Sequence, residues 1–502
     1  MGRETSDASN RKGPILAVII SGAIVAFFNQ TLLNVALPSL MNDFQVTTAA
    51  VQWVVTIYML VNGVLIPTTA FLMEKFTTRQ LFISAMGLFS FGTLLCGLAP
   101  VFGVILFGRM VQAAGAGILM PLMTNVIFHL FSKEKRGSAM GGVGIAMVFA
   151  PAIGPTLSGW VLEHFTWRVL FFIILPIALI VLILSVFVLK NVSETRNPKL
   201  DFLGVLFSTL GFGGLLYGFS SAGENGWLSK SVLVPIAIGF ASLAVFIFRQ
   251  LRIDYAMLEF RIFATPTYTL AVVISLLLNM SLFSGMILLP VYVQNILGLT
   301  PLQSGLLLLP GSLVMGIMSP ITGRLFDKYG VRWLAIIGLT ITIATTFLLS
   351  RLTMETSFWY LTGVYTVRSL GLSMLMMPVM TAGLNALPLR LNPHGTAMSN
   401  TVNAIGGAIG TALFVSIMSA RSAVHTEEII RRQGLNPADP EQMRWATLEG
   451  MTKGTDDAFL VATLFTVCAL IFALFLKDEN NASPDEARRE KSLPQPSFSG
   501  KS

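Results

Sequence analysis

Long apolar runs, nearly free of charge, follow one another along the chain, and that repetition decides what it can fold into. Crossing a hydrocarbon core about 30 Å thick takes about 20 apolar residues in a helix. Fourteen segments of that kind can be read along the 502 residues. Backbone polar groups inside lipid must be satisfied within the segment itself, which a helix achieves. The composition agrees, at 54% hydrophobic and 12% charged residues with a mean hydropathy of +0.74. That excludes an ordinary soluble domain. The expected fold class is an all-α polytopic membrane protein with fourteen transmembrane helices.

The net charge of +8 points to topology rather than to nucleic acid. With the amino terminus in the cytoplasm, most Lys and Arg gather in the loops of that side, as the positive-inside rule demands. Lys75 with Arg79, Lys133 with Lys135 and Arg136, Arg249 with Arg252 and Arg261, and Arg324 with Lys328 and Arg332 are the main groups. Both termini are then expected in the cytoplasm. A polar start with Arg3, Arg11 and Lys12 leads into a first span too long for a signal-peptide core. Cys96 and Cys468 both fall inside predicted spans and suggest no disulfide.

The fourth span, FGRMVQAAGAGILMP from Phe107 to Pro121, holds an arginine where apolar residues are expected. A cation near the bilayer centre costs at least roughly 2.5–3.5 kcal/mol on insertion scales and usually faces a bundle interior or an aqueous cavity. Arg109 is therefore the first functional candidate. Gln112, three residues on, shares its helix face. Span 1 carries Asn29, Gln30 and Asn34, amides that either tie helices together or line a cavity.

The chain is internally duplicated. TAFLMEKFTTRQL at Thr69 to Leu81 returns 253 residues later as TGRLFDKYGVRWL at Thr322 to Leu334, aligning Glu74 with Asp327 and Arg79 with Arg332. GSAMG at Gly137 returns as GTAMS at Gly395, 258 residues on. Such repeats mark secondary transporters and place the substrate path between the two halves. The expected organisation is a six-helix half over 1–190, an inserted two-helix hairpin over 191–263, and a second six-helix half over 264–477. An extracellular loop at 419–457 and a disordered cytoplasmic tail at 478–502 complete it.

Span 5, GGVGIAMVFAPAIGPTLSGW, has small residues at four-residue spacing together with Pro151 and Pro155. This pattern suits close packing of two backbones, or a bending seam that seals one side of a cavity. Span 12 puts Arg368 at the repeat position of Arg109, followed by Met374, Met376, Met377 and Met380. Methionines there either fill space or adapt to ligands of varied shape. The expected cavity set is Asn29, Gln30, Asn34, Met120, Met123, Arg368, Met377 and Asn403.

These motifs resemble the major facilitator superfamily, specifically its fourteen-span drug:proton antiporter branch and the bacterial exporters of the lincomycin-resistance type. The loop motif G-x-L-x-D-x-x-G-x-R is present as Gly323, Leu325, Asp327, Gly330 and Arg332, and is degenerate in the first half, where Glu74 replaces the acid and Thr77 the glycine. The span 4 motif matches Arg109, Gln112, Gly115 and Gly117, and the antiporter motif of span 5 matches Gly144, Pro151, Gly154, Pro155 and Gly159. The resemblance implies that the loop controls opening toward the cytoplasm and that the direction is export. Many fourteen-span members carry an aspartate in span 1 where this chain has Asn29.

No carboxylate lies in the central part of any predicted span, and arginine does not release its proton at physiological pH. The proton must ride elsewhere. Glu163, His164, Glu74, His129 and Asp327 stand at span ends, with Glu163 beside His164 preferred. The expected function is proton-coupled efflux of amphipathic drugs or toxic organic compounds across a bacterial cytoplasmic membrane. A specific exporter of a lipid or metabolite is the alternative, with a membrane-embedded enzyme more remote. A small-molecule substrate, protons and the bilayer are the expected partners, with no cofactor, no metal and no nucleic acid, in a monomer.

Overall fold

The computed structural model describes residues 2–46, 48–192, 195, 201–253 and 256–476. The expected tail at 478–502, and the side chains of Asn34, Pro151 and Pro155, lie outside the described residues. Among the described residues the regular structure is wholly helical.

The helices are α1 (Gly2–Phe44), α2 (Thr48–Lys75), α3 (Thr78–Gly97), α4 (Phe102–Leu130), α5 (Arg136–His164), α6 (Arg168–Val188), α7 (Phe202–Asn225) and α8 (Lys230–Arg252). They continue as α9 (Pro266–Asn295), α10 (Pro301–Tyr329), α11 (Val331–Leu348), α12 (Phe358–Ser373), α13 (Met376–Asn385), α14 (Asn392–Gln433) and α15 (Pro440–Ala473). Among the described residues, twelve spans are long and apolar enough to cross a membrane, thirteen if the bent α2 is one span. The 29-residue α5 is the remaining long helix.

Span 12 is broken into α12 and α13. Pro378 lacks the N–H that would bond to Met374, and its ring crowds that carbonyl, so the helix gives way at Met374 and Leu375. The duplicated loops turn by different chemistry. Gly330 takes φ 80°, a conformation open to glycine, and joins α10 to α11 directly. At the same register Thr77 is extended at φ −66°, and its hydroxyl caps α3 by accepting the Gln80 N–H at 3.2 Å.

Helices α1–α6 pack on one another, as do α9–α15, while α7 and α8 form a close pair. The halves meet along two seams, α5 against α10 and α2 against α14. The inserted hairpin lies against the second seam, α7 touching both α2 and α14. Trp53 stacks on Tyr217 at 5.8 Å, and Trp227 donates to Ser416 Oγ at 2.7 Å. The segment expected as a loop at 419–457 is helical for most of its length, as extensions of α14 and α15. Below, the motif face is the membrane side that carries the 74–79 and 323–332 connections, and the far face is the other.

Candidate functional site

Arg109 sits in α4 with no solvent exposure. Its Nε donates to the Val54 carbonyl of α2 at 3.1 Å, and its Nη1 donates to Gln112 Oε1 at 2.7 Å. Gln112 Nε2 passes the chain on to Thr93 Oγ1 of α3 at 2.7 Å. The Tyr58 ring lies 4.0 Å from the guanidinium carbon, a geometry in which the ring face stabilises a cation. None of its contacts among the described residues is a carboxylate, so this buried charge is met by dipoles and a ring. It ties α2, α3 and α4 together.

Arg368 repeats the theme in the other half with different partners. It is also fully buried, and its Nε donates to Thr346 Oγ1 of α11 at 3.1 Å. Its Nη2 donates to the carbonyl of Ser281 on α9 and lies 3.4 Å from Ser284 Oγ. Thr93 and Thr346 are equivalent in the repeat. Where the first half inserts Gln112 between arginine and threonine, the second has Gly371 and the arginine reaches the threonine itself. Tyr58 corresponds to Gly311, and the space over Gly311 is taken by the ring of Tyr365.

The two seams are latched at the motif face. Asp327, near the end of α10, accepts the Gly137 N–H at 2.8 Å, the Ser138 N–H at 2.9 Å and the Ser138 hydroxyl at 2.6 Å. Those amides belong to the first turn of α5, where a helix presents unpaired N–H groups and the positive end of its dipole. Backbones of α5 and α10 touch beside it: a Cβ on Gly323 would overlap the Gly137 carbonyl, and one on Gly141 would lie 2.6 Å from the Ser319 carbonyl. Arg136 crosses the same boundary, its Nη1 bonding Asn385 Oδ1 at 2.8 Å. On the other seam Glu74 Oε1 of α2 is 3.2 Å from His394 Nε2 in the first turn of α14.

The remaining predicted residues are scattered. Asn29 is buried with Nδ2 lacking a partner among the described residues, and Gln30 is half-buried. Met123 and Met377 are buried, Met120 is half-buried, and Asn403 Oδ1 accepts from Asn279 Nδ2 at 3.0 Å. Gly144 packs on Ser319, Gly154 is buried and Gly159 half-buried. Arg332 is exposed in the first turn of α11. Glu163 and His164 are exposed at the far end of α5, about 40 Å from its first turn at 1.5 Å per residue. There His164 Nδ1 lies 2.9 Å from the Trp160 carbonyl of its own turn. Sequence reading missed Tyr58, Thr93, Arg136 and His394. For the last two a signal existed, since extending the GSAMG and GTAMS match by one residue aligns them.

Two buried arginines at repeat-related positions, and two latched seams between duplicated halves, are the marks of a membrane protein built by duplication. Residues 19–411 match the family model described as Major Facilitator Superfamily. The chain belongs to the major facilitator superfamily. Membership makes it a transporter rather than an enzyme. Among its superfamily relatives, the MFS-type transporter YhcA of Bacillus subtilis is 46% identical, covering 97% of each chain. The lincomycin resistance protein LmrB of Listeria innocua is 42% identical over 92% of this chain and 96% of its own. The multidrug export protein EmrB of Haemophilus influenzae is 27% identical, covering 88% and 87%. A crystal structure of the human organic anion transporter MFSD10 (TETRAN) matches with a TM-score of 0.62 at 12% identity, covering 90% of this chain and 99% of that one. At that identity the likeness is one of superfamily fold alone.

Proposed function

We propose that this transporter exports amphipathic drugs or other toxic organic compounds across a bacterial cytoplasmic membrane, driven by proton influx. Both termini and the motif face lie in the cytoplasm in this reading, and the protein works as a monomer. Relatives named for lincomycin resistance and multidrug export support the substrate class. The observation that carries the mechanism is the Asp327 latch on the first turn of α5. A contact of that kind, made across the halves at one face, belongs to one of the two states that alternating access requires. Breaking it frees α10 from α5 and lets that face open.

Arg109 and Arg368 supply fixed positive charge inside each half. With no carboxylate in contact with either among the described residues, the interior disfavours permanent dications and suits neutral or weakly basic compounds. Inside-out vesicles containing the protein test the reading, with ethidium or lincomycin as the compound and a pH gradient imposed or collapsed. Gradient-dependent movement that is lost in Arg109→Ala is the expected result. If correctly inserted protein moves neither compound under any gradient, broad drug export is wrong.

A further inference from the structure

The two latches are related by the repeat but differ in chemistry. Glu74 and Asp327 share one register, and Arg136 and His394 share another, because RGSAMG at 136–141 corresponds to HGTAMS at 394–399. At the α5 seam the residue is a guanidinium, cationic at every physiological pH. At the α14 seam it is an imidazole, the side chain whose ordinary titration falls between about pH 5 and 8. His394 is 5% exposed, and its Nδ1 has no hydrogen-bond partner among the described residues. Asn392 and Thr396, four residues apart on α14, also hold buried polar atoms without partners there.

Most of the ionisable groups that neighbouring elements bring to this end of the bundle have partners of their own. From α4, His129 Nδ1 lies on the Asn125 carbonyl at 2.8 Å. From α9, the Tyr268 hydroxyl donates to the Gly395 carbonyl at 2.8 Å. Lys75, beside Glu74 on α2, lies over the rings of Phe71 and Phe76. Asp201 at the start of α7 is held by Arg249 of α8 at 2.8 Å. Arg390, in the turn before α14, is exposed, and α13 contributes the uncharged Asn385. Among the described residues, Glu74 is the acidic side chain in contact with the imidazole.

A neutral imidazole offers Glu74 one hydrogen bond and no charge, so closing the seam leaves a carboxylate partly desolvated beside a neutral group. A protonated one offers a cation, and ion pairing strengthens as water leaves the seam. We propose that His394 is the titratable residue of the motif-face latch: one proton on its imidazole, paired with Glu74, holds that face closed. As the face opens, the proton leaves to water on the same side. Closure and protonation are then linked, so the closed fraction rises as pH falls and is lost as pH rises. The inference rests on the alternating-access reading above.

Spin labels on Ser132→Cys and Leu389→Cys, both exposed at the motif face in opposite halves, report the seam by their separation. The background carries Cys96→Ala and Cys468→Ala, and the full chain is held in nanodiscs. Lowering pH from about 8.5 to about 5.5 spans the ordinary histidine range and is expected to enrich the short distance. The closed-to-open ratio changes by at most about tenfold per pH unit, the limit for one linked proton. His394→Gln removes that dependence, and Glu74→Gln removes it independently should the first variant misfold. His394→Arg, which copies the residue of the other latch, keeps the short distance at every pH. A ratio that is flat in the parent protein, or that titrates unchanged in His394→Gln, overturns the proposal. Drug movement is measured separately in the same proteins: its absence with an intact distance titration refutes the substrate reading and leaves the latch standing.

Discussion

An arginine sealed among helices is costly unless its charge is met by acceptors for its N–H groups. Arg109 meets this through two nitrogens of fixed geometry, one on the Val54 carbonyl and one on Gln112. Lysine has a single donor centre and cannot reach both in that arrangement. Arg109→Lys is expected to fold and to lose at least about tenfold in transport rate, the equivalent of about 1.4 kcal/mol, checked by vesicle efflux. Asp327 works by charge and by hydrogen bonds to a helix N-terminus, where losing such a cap costs about 0.5–2 kcal/mol. Asp327→Ala is expected to lower the closed-to-open ratio at the motif face by about two- to thirty-fold on that scale, with Asp327→Asn between it and the parent, read by the inter-half spin-label distance. At this scale the arginine and its i,i+3 glutamine were legible, because both lie on one helix. Tyr58 and Thr93 were not, because they come from neighbouring helices whose facing sides no single-helix pattern specifies.

At the scale of elements, helix ends and helix pairs carry the information. The α7–α8 hairpin is pinned by Asp201, which caps α7 through Gly204 N–H at 3.0 Å and pairs with Arg249 at 2.8 Å. Burial alone would raise its carboxyl, but the Arg249 hydrogen bond, with Gly204 and Gln250, holds it below the ordinary aspartate value. A depressed carboxyl stabilises the fold above its unfolded value of about 3.9 and loses that contribution as pH falls below it. Asp201→Asn is therefore expected to destabilise the protein at neutral pH and to narrow its difference from the parent below about pH 4, measured as Tm in detergent. The α14–α15 extension depends on close contact: a Cβ on Gly454 would lie 2.5 Å from the Met418 carbonyl. Gly454→Leu is expected to separate the pair and lower stability by about 1–3 kcal/mol, the usual overpacking range, measured in the same way. The loop expected over 419–457 was read from its charges, which signal exposure to water. They do not distinguish an exposed helix from an exposed coil.

For the whole molecule, closure at one face is a matter of two halves meeting. Gly141 leaves no room for a side chain against the α10 backbone at Ser319 and Pro320. Gly141→Leu is expected to wedge that seam and shift the labelled distance to its long value at every pH, since backbone on the other side cannot yield as a side chain would. The sequence by itself determined the all-helical membrane class, the duplication, and the presence of a buried cation in each half. These follow from hydrocarbon thickness and from the cost of charge in lipid, which act on each segment separately. Only the tertiary structure decided that Asp327 caps α5, 189 and 190 residues away in the chain, and that Glu74 meets His394, 320 residues away. It also laid the inserted hairpin across one seam. Such pairings depend on how whole helices pack side by side, and a pattern read along one helix contains its own face but not the face it will meet.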